Sequence, residues 1–219
     1  MAAKTATTKT AKKPAFLLYG SFLSAPTYKV GLMLALCKEP FAYRHIDLSK
    51  GMHKEPAFLA LNRYGQVPVL THGATVLCQS NVILRYLAAT LGAFGAKNEA
   101  EDWRIQEWLF WEADRLMPGV GRTRFFARFM KTDPAIVEYF RKAADMGLKT
   151  LDDQLAGRDF LLGRQPTIAD IGCYGDIVHA AEGNIDLGQW RNVSAWRGRV
   201  QKLPGFQHPY DLLPQADRD

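Results

Sequence analysis

The chain has 219 residues, of which 47% are hydrophobic and 23% charged, with a formal net charge of +6. That length suits two ordinary domains and that balance a soluble globular protein, and no apolar run approaches the ~20 residues of a membrane span. Lys4, Lys9, Lys12 and Lys13 carry four of the net charges, which leaves about +2 on the body, too little for a basic nucleic-acid face.

Residues 1–14 form a Thr/Ala/Lys-rich leader ending at Pro14. It lacks the apolar stretch of a secretory signal and the arginines of an organelle transit peptide, so a disordered basic tail is expected. Phe16-Leu17-Leu18-Tyr19 then reads as a buried strand. Ser24 is a plausible N-cap, Pro26 suits a first helical turn, and apolar residues recur to Leu36. A second strand over Tyr43 to Asp47 completes a βαβ unit and hence a parallel pair. Pro68 to Thr71 and Thr75 to Cys78 flank His72-Gly73-Ala74 as a hairpin, and a helix follows from Ser80 to about Thr90.

The glycine-rich break Leu91-Gly92-Ala93-Phe94-Gly95-Ala96 marks the domain boundary. It divides the chain into an α/β unit at 15–92, ordered βαβ-ββα around a small mixed sheet, and an all-helical unit at 99–214. Trp103 through Leu116 carries apolar residues at helical spacing, and Asp133-Pro134 is a cap with proline at the first helical position. Ile136, Phe140, Ala144, Leu148, Leu151 and Leu155 line one face of the helix it opens. Thr167 with Asp170 three residues on is an acidic capping box, and a last helix spans Val193 to about Leu203.

Two stretches carry chemistry. Val67-Pro68 puts a proline at the mouth of a short apolar strand, where ladder pairing disfavours it, so the backbone there is extended and open on one side. Gln79-Ser80 opens an amphipathic helix whose free N–H groups and positive dipole end suit a carboxylate. Together they form half of a site for an extended peptide with an anionic end. Cys37, Cys78 and Cys173 show no C-x-x-C or Cys/His ligand spacing, which fits a reducing cytoplasm and argues against a metal site.

The turn before the first helix, Val67-Pro68, Gln79-Ser80 and Thr167-Ile168-Ala169-Asp170 occur in the order and spacing of one family. Over Phe16 to Leu213 the chain resembles the cytosolic glutathione S-transferases, with a thioredoxin-like domain followed by an all-helical one. Leu23-Ser24-Ala25-Pro26, the loop Asp47 to Lys54, and Ala195-Trp196-Arg197-Gly198-Arg199-Val200 resemble the serine-type, theta-like branch with bacterial-style members.

That resemblance implies that Ser24 is catalytic, donating a hydrogen bond to the glutathione sulfur; the other reading of Ser24 is a plain helix cap. It implies that Val67 offers its N–H and C=O to the cysteinyl part of glutathione, and that Val67-Pro68 is cis. Ser80 and the N–H groups of its helix would receive the γ-glutamyl carboxylate. Gln79 stands where a glutamate is frequent, and a neutral amide cannot pair with the γ-glutamyl ammonium. Asp114 is the candidate to compensate from a partner subunit, unless it is a solvated helix aspartate. His53 and Lys54 would hold the glycyl carboxylate, with Gln66 adding a polar contact. Trp111, Leu116 and Phe126 are candidates to line the electrophile pocket, against the core position that aromatic and leucine stripes ordinarily take. Arg115, Arg122, Arg124 and Arg128 could attract an anionic co-substrate or form a solvated face.

The expected activity is thus detoxifying transfer of glutathione to a small hydrophobic electrophile by a cytoplasmic homodimer, with glutathione as co-substrate and no metal, nucleic acid or membrane partner. The segment Ser24-Ala25-Pro26-Thr27 carries no thiol, so protein-cysteine exchange at that turn is excluded. The alternatives are a non-catalytic assembly or regulatory module on the same fold, and a glutathione-dependent isomerase or dehalogenase.

Overall fold

The computed structural model describes residues 14–219. The expected disordered tail at 1–14 therefore lies outside the described residues, apart from Pro14. β1 (Phe16–Gly20) sits inside a four-stranded sheet ordered β2-β1-β3-β4. It runs parallel to β2 (Phe41–His45) and antiparallel to β3 (Val69–His72), which pairs in turn with β4 (Thr75–Cys78). A parallel pair needs a crossover, and α1 (Ala25–Leu36) supplies it, opened by Ser24, whose Oγ accepts the Thr27 N–H at 3.1 Å.

β2 begins two residues earlier than expected because Phe41, Ala42 and Tyr43 are all buried, whereas Asp47 accepts bonds from the Ser49 N–H and hydroxyl and turns the chain. His72 belongs to β3, and the hairpin turn is Gly73-Ala74, with Gly73 at φ +57°. α3 (Ser80–Leu91) joins α1 on one face of the sheet, burying Leu18, Tyr28, Leu32, Leu70, Ile83, Leu84 and Leu87 together. The other face carries α2 (Pro56–Leu61), which buries Phe58 beside Ile46 and Val69. That helix was not anticipated: six residues with a single buried side chain leave no periodicity to read.

The helical part starts with α4 (Glu99–Trp111), capped by Asn98, whose Oδ1 accepts the Glu101 N–H at 2.9 Å. α4 continues without a break into wide i→i+5 turns over Glu112–Gly121 and then α5 (Arg122–Arg128). α6 (Pro134–Leu155) begins on Asp133, as expected, with its carboxylate accepting the Ala135 N–H at 2.8 Å. Its buried stripe is Ala144, Leu148, Leu151 and Leu155, while Ile136, assigned to that face, is 42% exposed. Gly119 lets the wide turns meet α6 backbone to backbone: a Cβ there would lie 2.7 Å from Ala144 Cα.

α7 (Ile168–Ile177) is buried along all ten residues. Its capping box is formed by Thr167 and Asp170, and Asp170 Oδ1 also accepts the Leu161 N–H and the Trp196 Nε1–H, each at 2.9 Å. Burial pushes the Asp170 carboxyl up, and those hydrogen bonds oppose it. α8 (Arg191–Gln201) and α9 (Pro209–Leu212) follow, and the chain returns to the sheet, where Arg218 bridges Tyr43 on β2. The architecture is the expected one: a thioredoxin-like βαβ-ββα domain, then an all-helical domain. Among the described residues, no helix is long and apolar enough to cross a membrane.

Candidate active site

The carboxyl ends of the parallel strands β1 and β2 open into a cleft of about 1090 Å³ between the sheet and the helices, the place where open α/β sheets characteristically bind ligands. It brings together Ser24, His53, Lys54, Gln66, Val67, Pro68, Gln79 and Ser80.

Ser24 is half-buried at the N-terminus of α1. The Thr27 N–H occupies one lone pair of its Oγ, and because the hydroxyl accepts that bond its own proton is left to donate. Capping and donation are therefore compatible in one side chain. Val67-Pro68 is cis, and Val67 lies ahead of the first ladder pair, Tyr19 with Val69, so its N–H and C=O stand outside the sheet. The Gln66 carbonyl accepts from Asn62 Nδ2 at 2.6 Å, which holds this loop to the end of α2.

Gln79 takes φ +67°, makes no side-chain cap, and leaves the N–H groups at the start of α3 facing the cleft beside Ser80. His53 and Lys54 lie in a 3₁₀ turn, Met52–Lys54. Lys54 Nζ donates to the Gly65 carbonyl at 3.1 Å, and His53 Nδ1 is buried without a partner among the described residues. Gly65, at φ +56°, makes that approach possible: a Cβ there would sit 2.8 Å from Lys54 Nζ and 3.0 Å from the His53 carbonyl.

The remaining candidates lie elsewhere. Asp114 is 71% exposed in its side chain, pairs with Arg115 at 2.9 Å, and is outside the cleft. Trp111 packs edge-on against Trp108 at 4.9 Å, Leu116 is fully buried, and Phe126 stacks on Phe140 at 5.6 Å. None of these three lines the cleft. Each wide turn takes about one residue more than an α-turn, so from Glu112 onward the α-helical phase no longer tells which side chain faces inward. Trp103, Phe110, Ala113, Met117 and Phe125 form the apolar wall instead, with Arg122 and Arg85 at its edges.

One set of cleft residues was missed. Lys29 Nζ pairs with Glu112 Oε1 at 3.0 Å, their side chains 4% and 2% exposed, and Asn81 Nδ2 donates to Glu112 Oε2 at 2.8 Å. Buried Asp176 completes the group; its carboxyl is held well above the usual carboxylate range by burial first and the Glu112 charge second. The signal was a lysine inside the otherwise apolar α1, since a buried ammonium requires a counter-charge. Among the described residues, no group of three or more His, Cys, Asp or Glu is arranged to hold a metal ion.

Fold and cleft define a class: two-domain proteins with an open backbone strand and a helix N-terminus on the sheet side, and an apolar wall on the helical side. The glutathione S-transferase N-terminal domain profile matches residues 24–90, and the C-terminal domain profile matches residues 134–199. Human glutathione S-transferase theta-2 is 30% identical over 200 residues, covering 87% of this chain and 82% of the relative. Escherichia coli (strain K12) disulfide-bond oxidoreductase YfcG is 27% identical over 191 residues, covering 82% of this chain and 89% of that protein. A glutathione S-transferase crystal structure from Pseudomonas fluorescens superposes with a TM-score of 0.85 at 30% identity, covering 90% of this chain and 100% of the other. The chain belongs to the glutathione S-transferase family.

Proposed function

We propose that this protein is a serine-type glutathione transferase that binds glutathione along Val67 and the start of α3 and activates its thiol through Ser24. The observation that carries this is the placement of the Ser24 hydroxyl in one cleft with the unpaired Val67 backbone and the α3 N-terminus. A free thiol has a pKa near 8.5, so only a few per cent is thiolate at pH 7. A hydrogen bond to a charged partner contributes about 1.5–3 kcal/mol and the α1 N-terminus roughly 0.3–1, which lowers that pKa by about one to three units. The thiolate then attacks the electrophilic carbon, and the leaving group departs with its electron pair.

The γ-glutamyl carboxylate sits at Ser80 and the first N–H groups of α3; the glycyl carboxylate lies toward His53, Lys54 and Gln66. The unpartnered His53 Nδ1 supports that end of the assignment. Trp103, Phe110, Met117 and Phe125 suit a small hydrophobic electrophile. Val82, Trp103 and Phe110, exposed by 52%, 63% and 74%, support a homodimer that covers the outer lip and brings the partner's α4 region, with its Asp114, near the γ-glutamyl end.

YfcG favours a second use of the same thiolate, reduction of a small disulfide. Among the described residues no cysteine lines the cleft, so glutathione's own sulfur would attack one disulfide sulfur, forming a mixed disulfide and releasing the other sulfur as a thiolate; a second glutathione would then attack the mixed disulfide and leave oxidised glutathione.

Glutathione titration and turnover against electrophile and disulfide panels test both readings. Ser24→Ala is expected to bind glutathione with near-normal affinity while losing roughly 10- to 100-fold in kcat/KM at pH 7, the worth of one charge-assisted hydrogen bond. Unchanged turnover would remove the serine's role, and no glutathione binding would remove the enzyme.

A further inference from the structure

Of the three arginines of α5, Arg124 alone is buried, with its side chain 7% exposed. Its Nε donates to Glu182 Oε2 at 2.9 Å, and its Nη1 donates to the Leu23 carbonyl at 2.8 Å. Leu23 directly precedes Ser24, and the N–H of that same peptide donates to the Ser21 carbonyl at 3.0 Å. The Leu23–Ser24 peptide plane is therefore held at both ends. Two side-chain bonds within the turn are longer: Ser21 N–H to Thr27 Oγ1 and Leu23 N–H to Ser21 Oγ are both 3.4 Å. The short, charge-assisted bond to this turn comes from the helical domain.

Glu182 keeps Arg124 in place. Its Oε2 also accepts from Arg128 Nη1 at 2.5 Å, and its Oε1 accepts from the Tyr210 hydroxyl at 2.5 Å and from His179 Nδ1 at 2.9 Å. A guanidinium tying α5 to the 180–183 turn would need only that carboxylate. The second arm of the fork reaches a carbonyl 101 residues away in sequence, beside the proposed thiol-activating hydroxyl.

We propose that Arg124 is a positioning residue: by holding the Leu23 carbonyl it sets the Leu23–Ser24 peptide plane, and with it the direction in which the Ser24 hydroxyl points at the glutathione sulfur. This rests on the Ser24 assignment and extends it to a residue of the other domain. A lysine keeps the charge beside Glu182, but as a point donor it cannot reproduce the planar two-armed grip.

The test follows the thiol of bound glutathione by its thiolate ultraviolet absorbance against pH, in wild type, Arg124→Lys, Arg124→Gln, Ser24→Ala and the Ser24→Ala/Arg124→Lys double variant. Arg124→Lys, which retains the Glu182 pair and hence the fold, is expected to raise the bound thiol pKa by about 0.5–1 unit. Well below the bound thiol's pKa that corresponds to a loss of roughly 3- to 10-fold in kcat, shrinking as pH rises through the pKa and recovered at high pH, with the glutathione KM within about twofold. Arg124→Gln should shift it further, and the double variant should match Ser24→Ala alone. A merely structural arginine would lower the melting temperature and leave the thiol pKa where it is. If Ser24→Ala raises that pKa and Arg124→Lys does not, the positioning role falls and the serine stands. If the double variant exceeds Ser24→Ala, Arg124 acts by another route. If Ser24→Ala itself has no effect, both assignments fall.

Discussion

Gln79 holds φ +67° and ψ 110°, a backbone conformation of the kind that costs a non-glycine residue on the order of 1–3 kcal/mol. The local gain is that its side chain, freed from capping α3, stands at the cleft beside Ser80. In the proposed glutathione pose this amide meets the γ-glutamyl ammonium with a dipole where a carboxylate would offer full charge. Gln79→Glu is therefore expected to tighten glutathione binding about 3- to 10-fold, the roughly 1 kcal/mol of a partly exposed ion pair. The gain should shrink as salt rises. Calorimetric titration at low and high ionic strength checks it, and an unchanged Kd would place the ammonium elsewhere. Ser24, Val67-Pro68 and Gln79-Ser80 were legible in the sequence because each is local chemistry: a cap, an X–Pro strand mouth, a polar pair opening a helix. Gly65 is local too, but its positive φ matters only because Lys54 crosses above it, and that crossing is tertiary.

At the scale of elements, the segment Glu112–Gly121 decides what faces the cleft. Pro118 lies inside it and has no N–H to give, and the surrounding turns run wide. Leu116, a candidate for the pocket, takes the core position its helical stripe also allowed, and Ala113 and Met117 take the wall. The same segment delivers Glu112 to Lys29 across 83 residues of sequence, a pairing no local pattern encodes. Lys29→Met would leave the Glu112 carboxylate buried without a counter-charge, with Asn81 donating to it and the Asp176 carboxyl beside it. A loss of about 3–5 kcal/mol is expected. Adding Glu112→Gln, which keeps the shape and discharges the site, should restore at least half of it. Urea unfolding of both variants is the measurement; a Lys29→Met cost below 1 kcal/mol would mean that water or a rearranged Asp176 already compensates.

The whole molecule is two domains held together by polar ties as well as by core. Tyr28 donates to the Gln207 carbonyl at 2.9 Å and Arg124 grips the Leu23 carbonyl, while the Ile168 N–H ties the connecting segment through the Phe94 carbonyl at 2.9 Å. The hub around Glu182 gives this assembly a defined response to acid. Burial first and the Arg124 charge second press His179 down to about 4, against the pull of Glu182. Burial alone would raise Glu182, but bonds from Tyr210 and His179 together with Arg124 hold it at about 2. An ionised Glu182 only accepts, so the imidazole donates from Nδ1 at 2.9 Å, and its buried Nε2, without a partner among the described residues, is the bare lone pair. In the unfolded chain the same histidine titrates near 6.5. Between those values the unfolded chain binds the extra proton, so the contribution of neutral His179 is full above about pH 6.5. It is lost as pH falls toward 4, by on the order of 3 kcal/mol. Buried Asp170 and Asp176, whose pKa values are raised, contribute in the opposite sense, with stability lost as pH rises. Total stability therefore mixes two slopes, and a difference separates them. His179→Gln keeps a donor for Glu182 and does not titrate. Unfolding free energies of wild type and variant, taken at pH 7, 5.5 and 4, should converge or cross as pH falls, because only wild type has the histidine proton to take up. Parallel curves would mean that the imidazole takes up its proton over the same pH range in the folded and unfolded chains, so that burial beside Arg124 does not hold it neutral.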